Sequence, residues 1–431
     1  MTDRHTVGWV QPITRPDAVP GVMGFTHPTS LPITRRSAIL GTTAALFAPA
    51  IVRAQSGPVK LGIVYAKQGT FAELGTSAAN GALLTLEQAG GKVLGRPVQT
   101  IWLDEPNPQS AQQNMQKLIE EEHVSAVLGG ISGATALALG SLAKRSKIPL
   151  ITTSGATTLT GKDCNRFVFR ANAPATVAVR ALAPLLLERG KKWFFLMPDY
   201  AFGADVYDAY KAFLDQAGGT ELGHDKVPLG TTDFSGFILK IRQAKPDVVI
   251  TALSGNELPN LLKQYADLGM ADGPPITSPI VADTDLVAAG QQASGIYGKL
   301  WHHDDPNNSP SDRAFAADYK KKYGHPPAGN AFLGAVSMRL MLAGIEKAGS
   351  LDASAIVSGL EQARLPEGDL PVYFREWDHQ LMHRFLLLQV RKTVTDPYEA
   401  LEVIRSVPGT ADGLEALYGE QAASACKLES V

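Results

Sequence analysis

Residues 124–162 read VSAVLGGISGATALALGSLAKRSKIPLITTSGATTLTGK, and the pattern of this stretch decides the fold. Two short apolar runs, SAVLGG and KIPLITTS, are bounded by glycines or hydroxyl-bearing residues, as buried strands are. Between them TALALGSLAKRS has its apolar residues at helical spacing. Strand, helix and strand in this order form a βαβ unit. Its right-handed crossover brings both following turns to the carboxyl edge of a parallel sheet, where open α/β sheets hold ligands. The turns are residues 130–135 (GISGAT) and 153–158 (TSGATT). Both are rich in hydroxyls and in N–H groups that Gly and Ala leave uncovered, so they suit a carboxylate or another small polar group.

The same alternation extends outward. Upstream, residues 58–65 and 97–103 read as strands followed by helices over 77–89 and 110–122; downstream, 166–170 is a short strand. Ala171-Asn172-Ala173-Pro174 then carries the chain into a second lobe, where the pattern restarts. Strands are expected at 192–197, near Val227, at 247–252, near 279–281 and from Ile296 to Trp301, with helices over 175–189, 204–216, 234–243 and 257–268. The polar stretch 302–310 returns the chain to the first lobe, with helices over 311–323, 329–348 and 353–363. A turn at 374–379, a strand at 385–390 and a Gly-, Ala- and Glu-rich tail from Asp396 complete it. A chain of 431 residues exceeds one ordinary domain, which fits two lobes behind a removable N-terminus.

That N-terminus reads as an address. Arg35-Arg36 opens a twin-arginine signal, residues 37–52 carry no charge, and Val52-Arg53-Ala54 fits the small-residue cleavage rule. Residues 1–54 are therefore expected to be an export signal, cleaved near Ala54, since sixteen uncharged residues fall short of a spanning helix. The remaining chain has a formal charge of -5 and no extended Lys/Arg-rich run, which argues against nucleic acid as a partner. Lys320-Lys321-Lys322 reads as a solvated helix end. Two cysteines, Cys164 and Cys426, would meet an oxidising compartment after export, either bridged or as free thiols.

Sharper motifs fail on their spacing. Five residues, not four, separate Gly155 from Gly161, and Asp163 follows Lys162, so this is not a phosphate loop. Ala134 stands where a nucleophile elbow needs its second glycine. His379 and His383 lie on a turn and a strand that hold them apart, and His302-His303-Asp304-Asp305 reads as a solvated crossover loop, so no metal or cofactor is expected. Trp301 reads as packing. Tyr200, Phe202 and Tyr207 read either as ligand wall or as aromatics that dock a helix, and Asp199 reads equally as a helix cap.

Taken in order, Gly69-Thr70-Phe71-Ala72-Glu73-Leu74-Gly75, Asn80-Gly81-Ala82, Asp104, KLIEEEHVSAVLGG, S-G-A-T-A-L-A, S-G-A with L-T-G-K-D-C, D-Y-A-F-G (residues 199–203) and N-x-x-x-L-L-K-Q-x-A-D-L-G (residues 256–269) resemble the periplasmic leucine/isoleucine/valine-binding protein family. These are the substrate-binding subunits of ABC importers for branched-chain amino acids and related small molecules. The resemblance implies an α/β type I periplasmic binding protein fold, two doubly wound parallel-sheet lobes joined by three crossover segments. It places 58–172 and 303–377 in the N-terminal lobe, 173–302 and 378–394 in the C-terminal lobe, and 395–431 in a tail.

The same resemblance implies the site. Ser132, Gly133 and Ala134 in one turn and Ser154, Gly155, Ala156 and Thr157 in the other would grip the ligand's carboxylate and amine. Leu74 and Phe202 would wall its side chain, and Asp283, or else Asp285, would meet its ammonium. Gly133 stands where the best-known relatives carry a ligand-binding serine, so that either Ser132 supplies that hydroxyl or none is supplied. The subgroup also pairs cysteines at the positions of Cys164 and Cys426. The implied activity is that of an exported, monomeric, non-enzymatic receptor, which hands an amino acid or other small carboxylate to an ABC permease in the periplasm. Aromatic carboxylates, amides or urea are the alternative ligands. A sensing module and a hydrolase on the same scaffold are the readings from other classes.

Overall fold

A computed structural model describes residues 57–279, 281–366, 370–410 and 412–429. The expected export signal and its cleavage at Ala54 lie outside the described residues. The chain from Ser56 onward forms one compact unit built on two large sheets.

The first sheet contains β1 (Val59–Val64), β2 (Lys92–Val93), β3 (Arg96–Leu103), β4 (Ala126–Gly129), β5 (Leu150–Thr152) and β6 (Val168–Arg170), in the order β2-β3-β1-β4-β5-β6. All its pairs are parallel except the short β2–β3 hairpin. Strands β4, β5 and β6 are wholly buried, which is why their sequences read as continuous apolar runs instead of alternating. Helices α1 (Ala72–Gln88), α2 (Pro108–Glu120) and α3 (Gly133–Ser146) connect the strands. Asn107 caps α2 and Ser132 caps α3, each accepting from a backbone N–H of the first turn.

After β6 the chain crosses into α4 (Ala175–Leu187), which packs on the second sheet. That sheet contains β7 (Lys192–Pro198), β8 (Thr220–Val227), β9 (Val248–Thr251), β10 (Ile276–Ser278) and β11 (Ile296–Lys299), alternating with α5 (Ala201–Gln216), α6 (Ser235–Ala244), α7 (Glu257–Tyr265) and α8 (Asp283–Ala289). The chain then returns through a loop that ends at Ser309, the N-cap of α9 (Pro310–Tyr323), followed by α10 (Gly329–Ala348) and α11 (Ala353–Gln362). Helix α10 runs along α1 and so belongs to the first sheet's layer. The hairpin β12 (Tyr373–Phe374) and β13 (Leu381–Met382) leads back to β14 (Phe385–Val390) and β15 (Leu401–Val407). The second sheet has the order β15-β14-β11-β10-β9-β7-β8. Two doubly wound sheets joined by three crossings are the expected architecture.

Several expectations need correction. Helix α1 begins at Ala72, five residues before the expected Ser77, because Ala, Glu and Leu continue the helix toward Phe71 and Gly75 N–H bonds to the Phe71 carbonyl at 2.9 Å. Residues 283–289 form a helix where none was expected. The tail is not an appendage: β15 pairs with β14, which itself pairs with β11, and both pairings are antiparallel. The short connection from β14 to β15 has no crossover helix and so joins antiparallel neighbours, and with the antiparallel β11–β14 pair it makes the second sheet parallel in its centre and antiparallel at this edge. Trp301 is packing, stacked on Phe332 with ring centroids 4.9 Å apart. Asp199 faces Lys226 at 3.7 Å, and α5 has no side-chain cap.

Candidate functional site

The carboxyl edges of the two sheets face each other across a cavity of about 670 Å3, measured to its open mouth. The first wall is made by Phe71 and Leu74 at the start of α1, by Ile131, Ser132 and Gly133 in the turn after β4, by Thr153, Ser154 and Gly155 after β5, and by Asn330 in the first turn of α10. The second is made by Tyr200 and Phe202 at the start of α5, Ala252 and Ser254 after β9, and Ala282 before α8. Asn172, in the first crossing, lies between them.

Helices α1, α3 and α5 thus present their N-terminal ends to one space; α8 and α10 also begin there, but the first turn of α8 carries Asp283 and Asp285, and Asp283 already takes the Gly329 N–H of α10. Free first-turn N–H groups and the helix dipole make the ends of α1, α3 and α5 attractive to an anion. None of the lining side chains carries a charge. An anion would therefore meet partial positive charge and hydroxyls, with apolar and aromatic surface around its body.

The turn after β4 is tightly held. Gly130 has φ +87°, and a Cβ there would lie 2.8 Å from Thr152 Oγ1 and 2.9 Å from the Ala136 backbone, so only glycine fits. Thr152 Oγ1 donates to the Gly130 carbonyl at 2.8 Å. Ser132 Oγ accepts from Thr135 N–H at 3.1 Å and bonds Thr135 Oγ1 at 2.8 Å, which commits that hydroxyl to capping α3. Ser154 is buried, and its Oγ accepts from Ala156 N–H at 3.3 Å. The Tyr200 phenol is pushed up to about 12 by burial.

Leu74, Ser132, Gly133, Ser154, Gly155 and Phe202, all expected in the site, line the cavity together. The other expected residues stand elsewhere. Ala134 is exposed on α3, and Ala156 is buried in the core behind the wall. Thr157 clasps the two sides: its N–H donates to Asp205 of α5 at 3.1 Å. Gly255 makes a second close approach, where a Cβ would lie 2.8 Å from the Thr70 carbonyl oxygen. Asp283 does not reach the cavity. Its carboxylate takes the Lys299 ammonium and the Gly329 N–H of α10, the latter at 2.8 Å, with His302 Nε2 at 3.8 Å. Burial pushes the Asp283 carboxyl up, but Lys299 and His302 outweigh it and hold the group below its usual range. Asp285 is buried beside it, its carboxyl raised well above the usual range by burial, and also lies outside the lining.

Sequence reasoning missed Phe71, Tyr200, Asn172, Asn330 and Ser254. Phe71 carried a signal, an aromatic residue in a glycine-flanked segment; Asn330 carried a weaker one as a polar residue opening an apolar helix. Ser254 carried none. Glu105, just past β3, lies behind the turn after β4 and bonds it.

A larger cavity of about 910 Å3 lies beside the C-terminal segment, lined in part by Arg170, Arg375 and Tyr418. Its arginines are already engaged by Gln380, Thr160, Asp378 and Glu415. Cys164 and Cys426 are bonded here, as the resemblance implies. Among the described residues no cluster of three or more His, Cys, Asp or Glu could hold a metal ion, and no helix is long and apolar enough to cross a membrane.

A family model described as periplasmic binding protein matches residues 58–395. Leu/Ile/Val-binding protein homolog 6 of Brucella melitensis biotype 1 is 27% identical over 292 residues, covering 66% of this chain and 74% of that protein. Among solved structures, an amino acid ABC transporter substrate-binding protein from Pseudomonas fluorescens Pf-5 superposes with a TM-score of 0.78 at 24% identity, covering 86% of this chain and 99% of that one. A solute-binding protein of an ABC transporter from R. palustris, in complex with benzoate, superposes with a TM-score of 0.74 at 22% identity, covering 81% and 96%.

Proposed function

Because the chain belongs to the periplasmic binding protein family, we propose that its interlobe cavity captures a small carboxylic acid with an aromatic or branched body and no α-ammonium group. The protein then hands this acid to an ABC permease. The observation that carries this reading is the convergence of three helix N-termini, those of α1, α3 and α5, on a cavity whose lining has hydroxyls, amides and aromatic rings but no charged side chain. An ammonium brought into such a space would lose its water without gaining a carboxylate. The acid expected to receive it, Asp283, is already neutralised by Lys299. The benzoate complex of the R. palustris protein supports an aromatic acid, and the Leu/Ile/Val-binding homologue supports a branched one.

Delivery follows from closure. The Thr157–Asp205 and Asp283–Gly329 bonds join the two sides, and only a ligand that touches both walls favours the closed form a permease reads. The protein acts as a receptor and not as an enzyme, exported through the twin-arginine signal and working in the periplasm. A thermal-shift panel of matched pairs tests the ligand class: leucine against 4-methylpentanoate, phenylalanine against 3-phenylpropanoate, with benzoate added. A bound acid at 100 times its dissociation constant should add about 2.7 kcal/mol of stability. Stabilisation by the amine-free partner of each pair is expected; stabilisation by the amino acids alone would overturn this ligand class.

A further inference from the structure

The turn that brings Ile131, Ser132 and Gly133 to the cavity is held from behind by a side chain that does not line it. Glu105, just past the carboxyl end of β3, is 5% exposed. Its Oε2 accepts from Gly130 N–H and its Oε1 from Ile131 N–H, each at 2.8 Å. One carboxyl group thus takes two successive amides of the turn, while Thr152 fixes the carbonyl of the first.

No basic side chain among the described residues pairs with Glu105. The groups facing it are the adjacent Asp104 carboxylate, the buried Tyr65 phenol that follows β1, and the two turn amides. Asp104 is itself engaged by Lys67 N–H at 2.7 Å and Gln68 Nε2 at 2.8 Å.

We infer that Glu105 is the positioning residue of this binding turn, and that a carboxylate ligand docking at Ile131–Gly133 is bound together with a proton on Glu105. The second half rests on the carboxylate reading above; the first does not. The two amides Glu105 holds aim the start of α3 at the ligand; Gly130 N–H also reaches the Val64 carbonyl at 3.2 Å, so a proton on Oε2 still leaves Oε1 to hold Ile131 N–H. A carboxylate bound at Ile131–Gly133 places a second negative charge close to the buried Glu105, and two such charges without a cation between them repel. The complex therefore prefers Glu105 protonated. Burial already pushes its carboxyl up to about 8, opposed by the Ile131 and Gly130 amides, so the proton is exchanged within an accessible range. A ligand that raises this value further takes up a proton on binding, and its affinity falls as pH rises through it.

The test uses the mature protein labelled with 15N at Gly and Ile. Without ligand, the Gly130 and Ile131 amide resonances should shift together between about pH 6 and pH 9.5, and this titration should vanish in Glu105→Gln, which carries no charge. Gly130 and Ile131 amide shifts that are the same in Glu105→Gln as in the wild type would overturn the positioning role, and flat shifts in the wild type would overturn the proton exchange. With 4-methylpentanoate or benzoate as probe, calorimetry at pH 8 in buffers of different ionisation enthalpy should show proton uptake by the wild type and none by Glu105→Gln. Wild-type affinity should fall about tenfold across the same range. Binding without proton uptake would overturn the linkage. If neither acid binds, the carboxylate reading falls with the linkage, and the amide titration still decides the positioning role. Should Glu105→Gln not fold, the wild-type titration and proton count decide alone.

Discussion

The two walls of the cavity are built differently. The first is mostly backbone and short polar side chains, placed by turns that glycine and threonine lock in one conformation. The second is led by rings, Tyr200 and Phe202, carried on the first turn of α5. Each wall has a buried carboxylate nearby: Glu105 has no cation, whereas Asp283 has Lys299 and spans to α10. On the proposed reading the contrast is a division of labour: one side would meet the ligand's charge through amides, the other its shape, and Asp283, outside the lining, would serve closure.

The largest effect should come from cutting what ties the walls together. The C-terminal segment supplies β15 to the second sheet and is bonded through Cys426 to Cys164, 262 residues away and just outside the first. Loop-closure arithmetic gives up to about 5 kcal/mol for a loop this long. Reduction, or Cys426→Ser, should lower the melting temperature accordingly; an unchanged melting curve would show that β15 holds the segment unaided.

Next comes Asp283→Ala, which leaves Lys299 buried without its partner and should cost about 3 to 5 kcal/mol in denaturant unfolding. Replacing both, with Asp283→Leu and Lys299→Met, should recover most of that loss. If Asp283 were a ligand group instead, the single variant would lose binding and keep its stability.

Glu105 behaves in the opposite way with pH. Its folded value of about 8 lies above the ordinary carboxylate value of 4.5, so the folded chain holds the proton more tightly than the unfolded one. The stability this contributes is fully present below about 4.5 and is lost as pH rises through about 8. Between those values ligand-free stability should decline by up to about 1.4 kcal/mol per pH unit, the limit for one proton. Glu105→Gln should flatten that slope. A slope unchanged by the substitution would place the titrating group elsewhere.

The smallest of these effects concerns the second wall. Phe202→Ala should weaken binding of an aromatic acid about tenfold, and that of a branched acid less, as loss of one aromatic wall predicts. Equal losses for the two would mean that the ring contributes only bulk.

What could be read from the chain follows the same division. The first wall was legible because it is local: Ser132-Gly133 and Ser154-Gly155 each follow an apolar run, and the βαβ rule sends both to one edge. Phe202 and the cysteine pair were legible only through family resemblance. Asn172 and Asn330 were not, since they meet in the cavity by way of a crossing and a returning helix that no local pattern specifies. Asp283, which with Asp285 came from the resemblance as the ammonium partner, stands outside the lining because β11 lies beside β10 and brings Lys299 to its carboxylate. Strand β15 was lost in a tail judged by its overall composition, although LEVIRSV is rich in β-branched residues.

The most direct measurement is a calorimetric comparison of leucine with 4-methylpentanoate, which differ only in the ammonium group. Tighter binding of 4-methylpentanoate, by about tenfold or more, is the result expected of a cavity with helix N-termini and no charged side chain. Tighter binding of leucine would contradict that account and return a carboxylate, Asp283 or Asp285, to the ligand.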